Sequence, residues 1–268
     1  MSATVSLFID GFSLSFSLFL DNLWVILKSF VIPKELTVTG PTGHEYSIFT
    51  SFWDYYSYSI VLFLSAFILS IFIGITLTYL ALMLPKNGRK LITKVASLLE
   101  ALPDLFIIMV IQLVVIFVYE QTNVMLFPVA GTGINRSYFL PIVGLALIPT
   151  LMIFKIIFFL AMEESEKEYV LLAKSKGFNG TAIFYSHILR NILPSVFTHS
   201  KSILLLLLSS LVIFELVFNI YGIITYILTY PEPNVIAFCL IMFYIPIFLI
   251  YAVLTMIIEK ITGQKLEW

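Results

Sequence analysis

Six apolar stretches, near residues 10–32, 57–84, 101–119, 138–161, 199–219 and 235–258, constrain this chain more than any other feature. Each is long enough to cross roughly 30 Å of hydrocarbon as a helix. A membrane barrel would need alternating segments of about ten residues, and these runs do not alternate. The expected fold is all-α: a polytopic membrane protein with six transmembrane helices. Composition agrees. Residues are 60% hydrophobic and only 12% charged, against about 25% charged in soluble domains. A net charge of −1 gives no electrostatic case for a nucleic-acid partner. The single cysteine, Cys239, lies in an apolar run, where it can form neither an internal disulfide nor a metal site. The N-terminus lacks the basic region and small-residue cleavage site of a signal peptide, so the first apolar stretch is expected to be retained as a span.

Orientation follows from Lys and Arg. Lys86, Arg89, Lys90 and Lys94 fill one loop, read as 85–100; Lys167, Lys174, Lys176 and Arg190 fill another; Lys260 and Lys265 lie in the tail. The opposite loops hold Lys34 and Arg136. The positive-inside rule then places both termini in the cytoplasm. Three parts are expected: residues 1–56, the first transmembrane helix and an external loop; 57–262, the transmembrane core; and 263–268, a cytoplasmic tail. The aromatic run SFWDYYSY, 51–58, suits a membrane-interface belt.

One segment interrupts the apolar pattern between the fourth and fifth spans, at 163–195. Glu163, Glu164, Glu166 and Glu168 crowd its start, Lys174 and Lys176 follow, and Gly177 comes next. Acids first, bases last and a terminal Gly match the helix dipole and a left-handed C-cap. Tyr169, Leu172, Ala173 and Lys176 share a helical face. Thr181 suits the N-cap of a second helix. Ile183, Phe184, His187, Ile188 and Asn191 form its stripe, and Pro194 ends or kinks it. Four readings compete: a nucleic-acid-reading helix-turn-helix, which the low basic charge disfavours; a solvated connector; an amphipathic helix lying on lipid; and a docking element for a cytoplasmic partner.

The run EYVLLAKSKG at 168–177, followed by HILRNILP at 187–194, resembles the cytoplasmic "EAA" loop of ABC importer permeases, in the form used by the oligopeptide/dipeptide/nickel family. SLLEALPDLF at 97–106, LFPVAGTG at 126–133, VIFELVFNIYGI at 212–223 and YPEPNVIAF at 230–238 resemble that family's other motifs in the same order. The external loop favours the first of its two permease types. Departures are Tyr221, where the family usually has Pro, and Phe158, where it often has Arg.

This resemblance implies a subunit that is not an enzyme and has no catalytic residues. The chain lacks a G-x-x-x-x-G-K-[ST] phosphate loop, so it binds no cofactor itself and ATP with Mg would be handled by partner subunits. The implied partners are a second homologous permease, two ABC ATPases, an extracellular or periplasmic solute-binding protein, and membrane lipid. The expected coupling residues are Glu168, Tyr169, Ala173, Lys176, Gly177, His187, Arg190, Asn191 and Pro194. Gly177 would permit a tight turn, Ala173 would keep the contact face small, and Glu168 and Arg190 are candidates for ion pairs. Pathway candidates are Glu215 and Phe218 at the outer gate, Asp104, which also suits a helix cap, and Gln112, suited to a hydrogen bond between helices. Asp21 and Lys155 are further charges in spans, and Lys155 is expected to snorkel to the cytoplasmic face. His44, His187 and His199 are too scattered for a metal centre. The expected cargo is an oligopeptide or dipeptide, with nickel or a metal chelate as the alternative. A stand-alone channel or secondary transporter is the reading from a different class.

Overall fold

The computed structural model describes residue 24 and residues 37–39, 45–123, 128 and 136–263. The expected first span, with Asp21, lies outside these residues apart from Trp24, as do His44 and most of the 126–133 loop. A small hairpin pairs β1 (Thr37–Thr39) with β2 (Glu45–Ser47), Val38 opposite Tyr46. Everything after it is helical: α1 (Phe52–Met83), α2 (Lys86–Glu100), α3 (Asp104–Thr122), α4 (Phe139–Glu164), α5 (Glu168–Ser175), a short turn at Gly180–Ala182, a π-helical stretch Ile183–Leu189, α6 (Arg190–Thr198), α7 (Ser200–Val217), α8 (Ile223–Thr229) and α9 (Pro233–Thr262). Among the described residues, α1, α3, α4, α7 and α9 are long and apolar enough to cross a membrane. The all-α polytopic reading holds, with five candidate spans described and the sixth expected in the residues that are not.

The segment read as a loop at 85–100 is a helix. Four basic residues made it look like a solvated connector, but Ile92, Ala96 and Leu99 fall at helical spacing on its inner side. Pro85 precedes its first turn, where a missing N–H costs nothing. Arg89 then folds back, donating from Nε to the Leu84 carbonyl at 2.8 Å and from an Nη to the Leu82 carbonyl at 2.5 Å. These are carbonyls that the end of α1 leaves unpaired.

The chain forms two compact units. One contains the described residues up to Ile60 and Tyr221–Phe248; the other contains Val61–Ile220 and the chain from Leu249. The first is aromatic at its centre. Phe52 meets Phe238 edge-on at 4.9 Å and Tyr226 at 5.8 Å. Ser59 Oγ accepts the Ile223 N–H at 2.7 Å, and the Tyr226 hydroxyl donates to the Ile48 carbonyl at 3.3 Å. Cys239 is buried.

In the second unit two glycines bring helices close. A Cβ on Gly74 of α1 would stand 2.7 Å from Ile153 Cγ2 of α4, and one on Gly144 of α4 would stand 2.7 Å from the Phe214 ring of α7. Close helix approach through small residues is how spans associate where lipid removes the hydrophobic drive. Beside the first contact, Ala81, Ala96, Phe154 and Phe158 form a buried cluster with Ile92, Leu151 and Met162 against it. Phe158 is thus a core residue here.

Candidate functional site

The polar segment between α4 and α7 is built outward from Glu164, the last residue of α4. Four glutamates lie within 163–168, and Glu164 alone of them is buried. Its Oε1 accepts the Tyr169 hydroxyl at 2.5 Å and its Oε2 pairs with Lys167 Nζ at 2.7 Å. The Asn191 side chain also hydrogen-bonds to it. Burial and the bond to Glu164 push the Tyr169 hydroxyl up to about 12, in that order of importance. The hydrogen bond and charge of Glu164 hold the Lys167 ammonium above its usual range. One carboxylate therefore joins the end of a span to both halves of the protruding segment. A cleft of about 480 Å³, bordered by Glu163, Lys167 and Ser195, opens beside it.

The expected helix at 163–177 divides in two: α4 runs on to Glu164, the chain turns at 165–167, and α5 starts at Glu168. Glu168 is exposed in its first turn, where the dipole favours an anion. Gly177 has φ +82. The Phe178 N–H reaches the Ala173 carbonyl at 3.3 Å, and the Gly177 N–H reaches the Lys174 carbonyl at 3.0 Å. This pair of bonds is a Schellman cap, and a Cβ at its left-handed position is unfavourable. The expected C-cap is present.

Asn179, rather than Thr181, caps the second half: its Oδ1 accepts the Ala182 N–H at 2.8 Å. The Thr181 hydroxyl is instead 2.7 Å from the Tyr79 hydroxyl of α1. Tyr79 also packs on Phe184 at 5.4 Å, a contact between distant residues that no local pattern announces. The following turns widen into the π-helical stretch, a form common at functional sites. Ile183, Phe184 and Ile188 are buried along it, as is Ile192 in α6, and His187 lies edge-on to Phe178 at 5.7 Å. Pro194 does not end the helix; it lies inside α6. Arg190 donates from Nε to the Ile261 carbonyl at 3.0 Å, so within the segment the ion pair is Lys167–Glu164.

The faces of α5 differ from the sequence expectation. Val170 and Ala173 are buried within the chain, whereas Leu171, Leu172 and Phe178 are exposed. Ala173 therefore packs inward, and the apolar surface facing outward is the leucine pair with Phe178. Lys174 and Lys176 are exposed beside it.

Three of the pathway candidates meet at the end of α7: Glu215, Phe218 and Gln112, the last through the Val217 carbonyl. Glu215 and Phe218 are fully buried at the end of α7. Phe218 stacks on Phe214 at 5.5 Å. Asn219, at φ +50, closes the helix with a second Schellman cap, its following N–H on Ile220 reaching the Glu215 carbonyl at 2.8 Å. Gln112 donates from Nε2 to the Val217 carbonyl at 3.5 Å, a long bond joining α3 to α7. Asp104 opens α3; its side chain lies outside the described residues. Lys155 is paired within the chain: its Nζ lies 2.5 Å from Glu100 Oε2 of α2.

Over 108 residues the chain is 30% identical to a protein named Dipeptide transport system permease protein DppB, from Lactococcus lactis subsp. cremoris (strain MG1363). That alignment covers 40% of this chain and 36% of the relative. Five apolar spans, a capped polar segment between two of them, and the match of residues 66–264 to the family described as "Binding-protein-dependent transport system inner membrane component" lead to one conclusion: the chain belongs to that family of transport permeases.

Proposed function

We propose that this chain is the transmembrane subunit of an ATP-driven ABC importer that takes up oligopeptides or dipeptides delivered by an external binding protein. The 163–195 segment would be its dock for a cytoplasmic ATPase. The observation that carries this reading is the two-sided construction of α5. Its inner side is tied through Tyr169 to Glu164 at the end of a span. Its outer side leaves Leu171, Leu172 and Phe178 exposed beside a rigid Schellman turn. An exposed apolar helical face with flanking lysines fits a groove in a partner. The polar tie means that force on α5 reaches α4 directly.

In this mechanism two ATPases bind ATP and Mg outside this chain, and their closure pushes on α5. The push tilts α4 as a rigid body, with the spans packed on it at Gly74 and Gly144. A second, homologous permease would form the other half of the pathway. The transmembrane core would be residues 57–262, with the segment and both termini in the cytoplasm. The 30% identity to a dipeptide permease supports the peptide cargo. The external binding protein would select that cargo.

The test uses Leu172→Glu and Gly177→Arg in the complete complex, with ATPase co-purification and dipeptide uptake as readouts. Both variants should lose ATPase association and uptake while the chain still reaches the membrane. Normal association and normal uptake would reject the docking role. Ala173→Glu is unsuitable because Ala173 is buried within the chain itself.

A further inference from the structure

We infer that the Lys155–Glu100 ion pair is a positioning link that makes the joint between α2 and α3 follow α4 during transport. The inference rests on the docking role proposed for the 163–195 segment and extends it one step further into the molecule.

Lys155 lies about two and a half helical turns, roughly 13 Å, from the end of α4 that carries the segment. An ammonium at that depth in a span is costly unless it is paired. Its Nζ lies 2.5 Å from Glu100 Oε2, and both side chains keep only about a quarter of their exposure, 26% and 28%. Glu100 is the final residue of α2, and only Ala101–Pro103 separate it from α3. The pair therefore grips the joint between the two helices.

The surrounding contacts make this grip informative. At the same level α4 is fastened to α1: Gly74 leaves no room for a Cβ against Ile153, and the Thr78 hydroxyl, which donates to the Gly74 carbonyl of its own helix at 2.9 Å, lies 3.3 Å from the Phe154 carbonyl. Helices α1 and α4 therefore form a rigid pair there. The rest of the α2–α4 contact is apolar, with Ala96 and Ile92 lying among Phe154, Phe158 and Met162. Apolar surfaces resist separation but have little directional preference along the helix axis. A charge-assisted hydrogen bond has one optimal geometry. The ion pair supplies the register that the apolar contact lacks. A displacement of α5 would then pass through Glu164 into α4, through Lys155 into Glu100, and so to the start of α3. Near its middle α3 is bonded to α7 through Gln112.

A purely structural salt bridge would act differently. Its loss would reduce assembly, ATP hydrolysis and uptake together. Loss of a positioning link leaves an assembled, hydrolysing complex that transports poorly for each ATP consumed. The experiment reconstitutes the complete complex carrying Lys155→Met, Glu100→Gln, or the exchanged pair Lys155→Glu with Glu100→Lys. It measures ATPase co-purification, stimulated ATP hydrolysis and dipeptide uptake. The single variants should assemble and hydrolyse ATP near the wild-type rate, while uptake per ATP falls about tenfold, within the usual range of coupling between sites. The exchanged pair should restore most of it. Wild-type uptake per ATP in the single variants overturns the link, and so does a parallel loss of all three readouts without recovery in the exchange. If the single variants do not assemble, the pair is structural and the link is overturned. Gly177→Arg is run alongside. Its normal transport would reject the docking role, whereas its failure beside a fully coupled Lys155→Met would reject only the link.

Discussion

Tyr169 has the most measurable chemistry in the segment. Removing its hydroxyl with Tyr169→Phe deprives the buried Glu164 of one donor, and should cost the segment about 1–3 kcal/mol. Hydrogen exchange of the 165–199 amides would show this as faster opening than in the wild type. The pH dependence has a definite sign. The folded hydroxyl is raised to about 12, above an unfolded value of about 10. Its contribution is complete below pH about 10 and is lost as pH rises toward about 12. A phenolate absorbance difference between wild type and Tyr169→Phe should therefore titrate near 12. A midpoint near 10 would show that the hydroxyl is neither buried nor bonded to Glu164. The sequence could not single out Glu164 among four neighbouring glutamates, because only burial distinguishes them. Tyr169 and Asn191 were legible as candidates since they lie on recognisable helical faces. Tyr79 was not, since its contact with Thr181 spans distant parts of the chain.

Elements were legible where one periodicity dominated. The long apolar runs read as spans, and Gly177 read as a C-cap because acids, bases and glycine came in the order a helix end favours. Helix α2 was missed because positive charge outweighed a weaker apolar stripe. The π-helical stretch was missed because its wider turn shows no residue signature. Three glycines separate the physical effects that hold these elements. Gly74→Ala forces a Cβ to within 2.7 Å of Ile153, and overpacking of this kind should cost about 1–3 kcal/mol. Gly177→Ala meets no neighbour but must keep φ +82, costing about 1–2 kcal/mol. Gly180→Ala meets neither obstacle and should leave stability unchanged. Thermal unfolding in detergent would order them, with both Gly74→Ala and Gly177→Ala below the wild type and Gly180→Ala level with it. Gly177→Ala at wild-type stability would contradict the left-handed cap.

At the scale of the whole molecule, the proposed orientation predicts which segments share a side, each candidate span being taken as one crossing. Counting from the end of α1, Pro85 and the 165–199 segment would lie on one side, with Asn123 on the other. Lysine and arginine concentrate on the first set, which the positive-inside rule assigns to the cytoplasm. The assignment can be tested cleanly because Cys239 is the only cysteine and is buried. In a Cys239→Ser background, single cysteines at Asn123 and Phe178 would be exposed to a membrane-impermeant thiol reagent applied to intact cells. Asn123→Cys should label from outside. Phe178→Cys should label only after the membrane is opened, and assembly with the ATPases should then protect it, since Phe178 belongs to the proposed docking face. Labelling of both positions from outside would mean that α4, the candidate span between them, does not cross. Reversed labelling would place the polar segment outside the cell, where no ATPase could reach it.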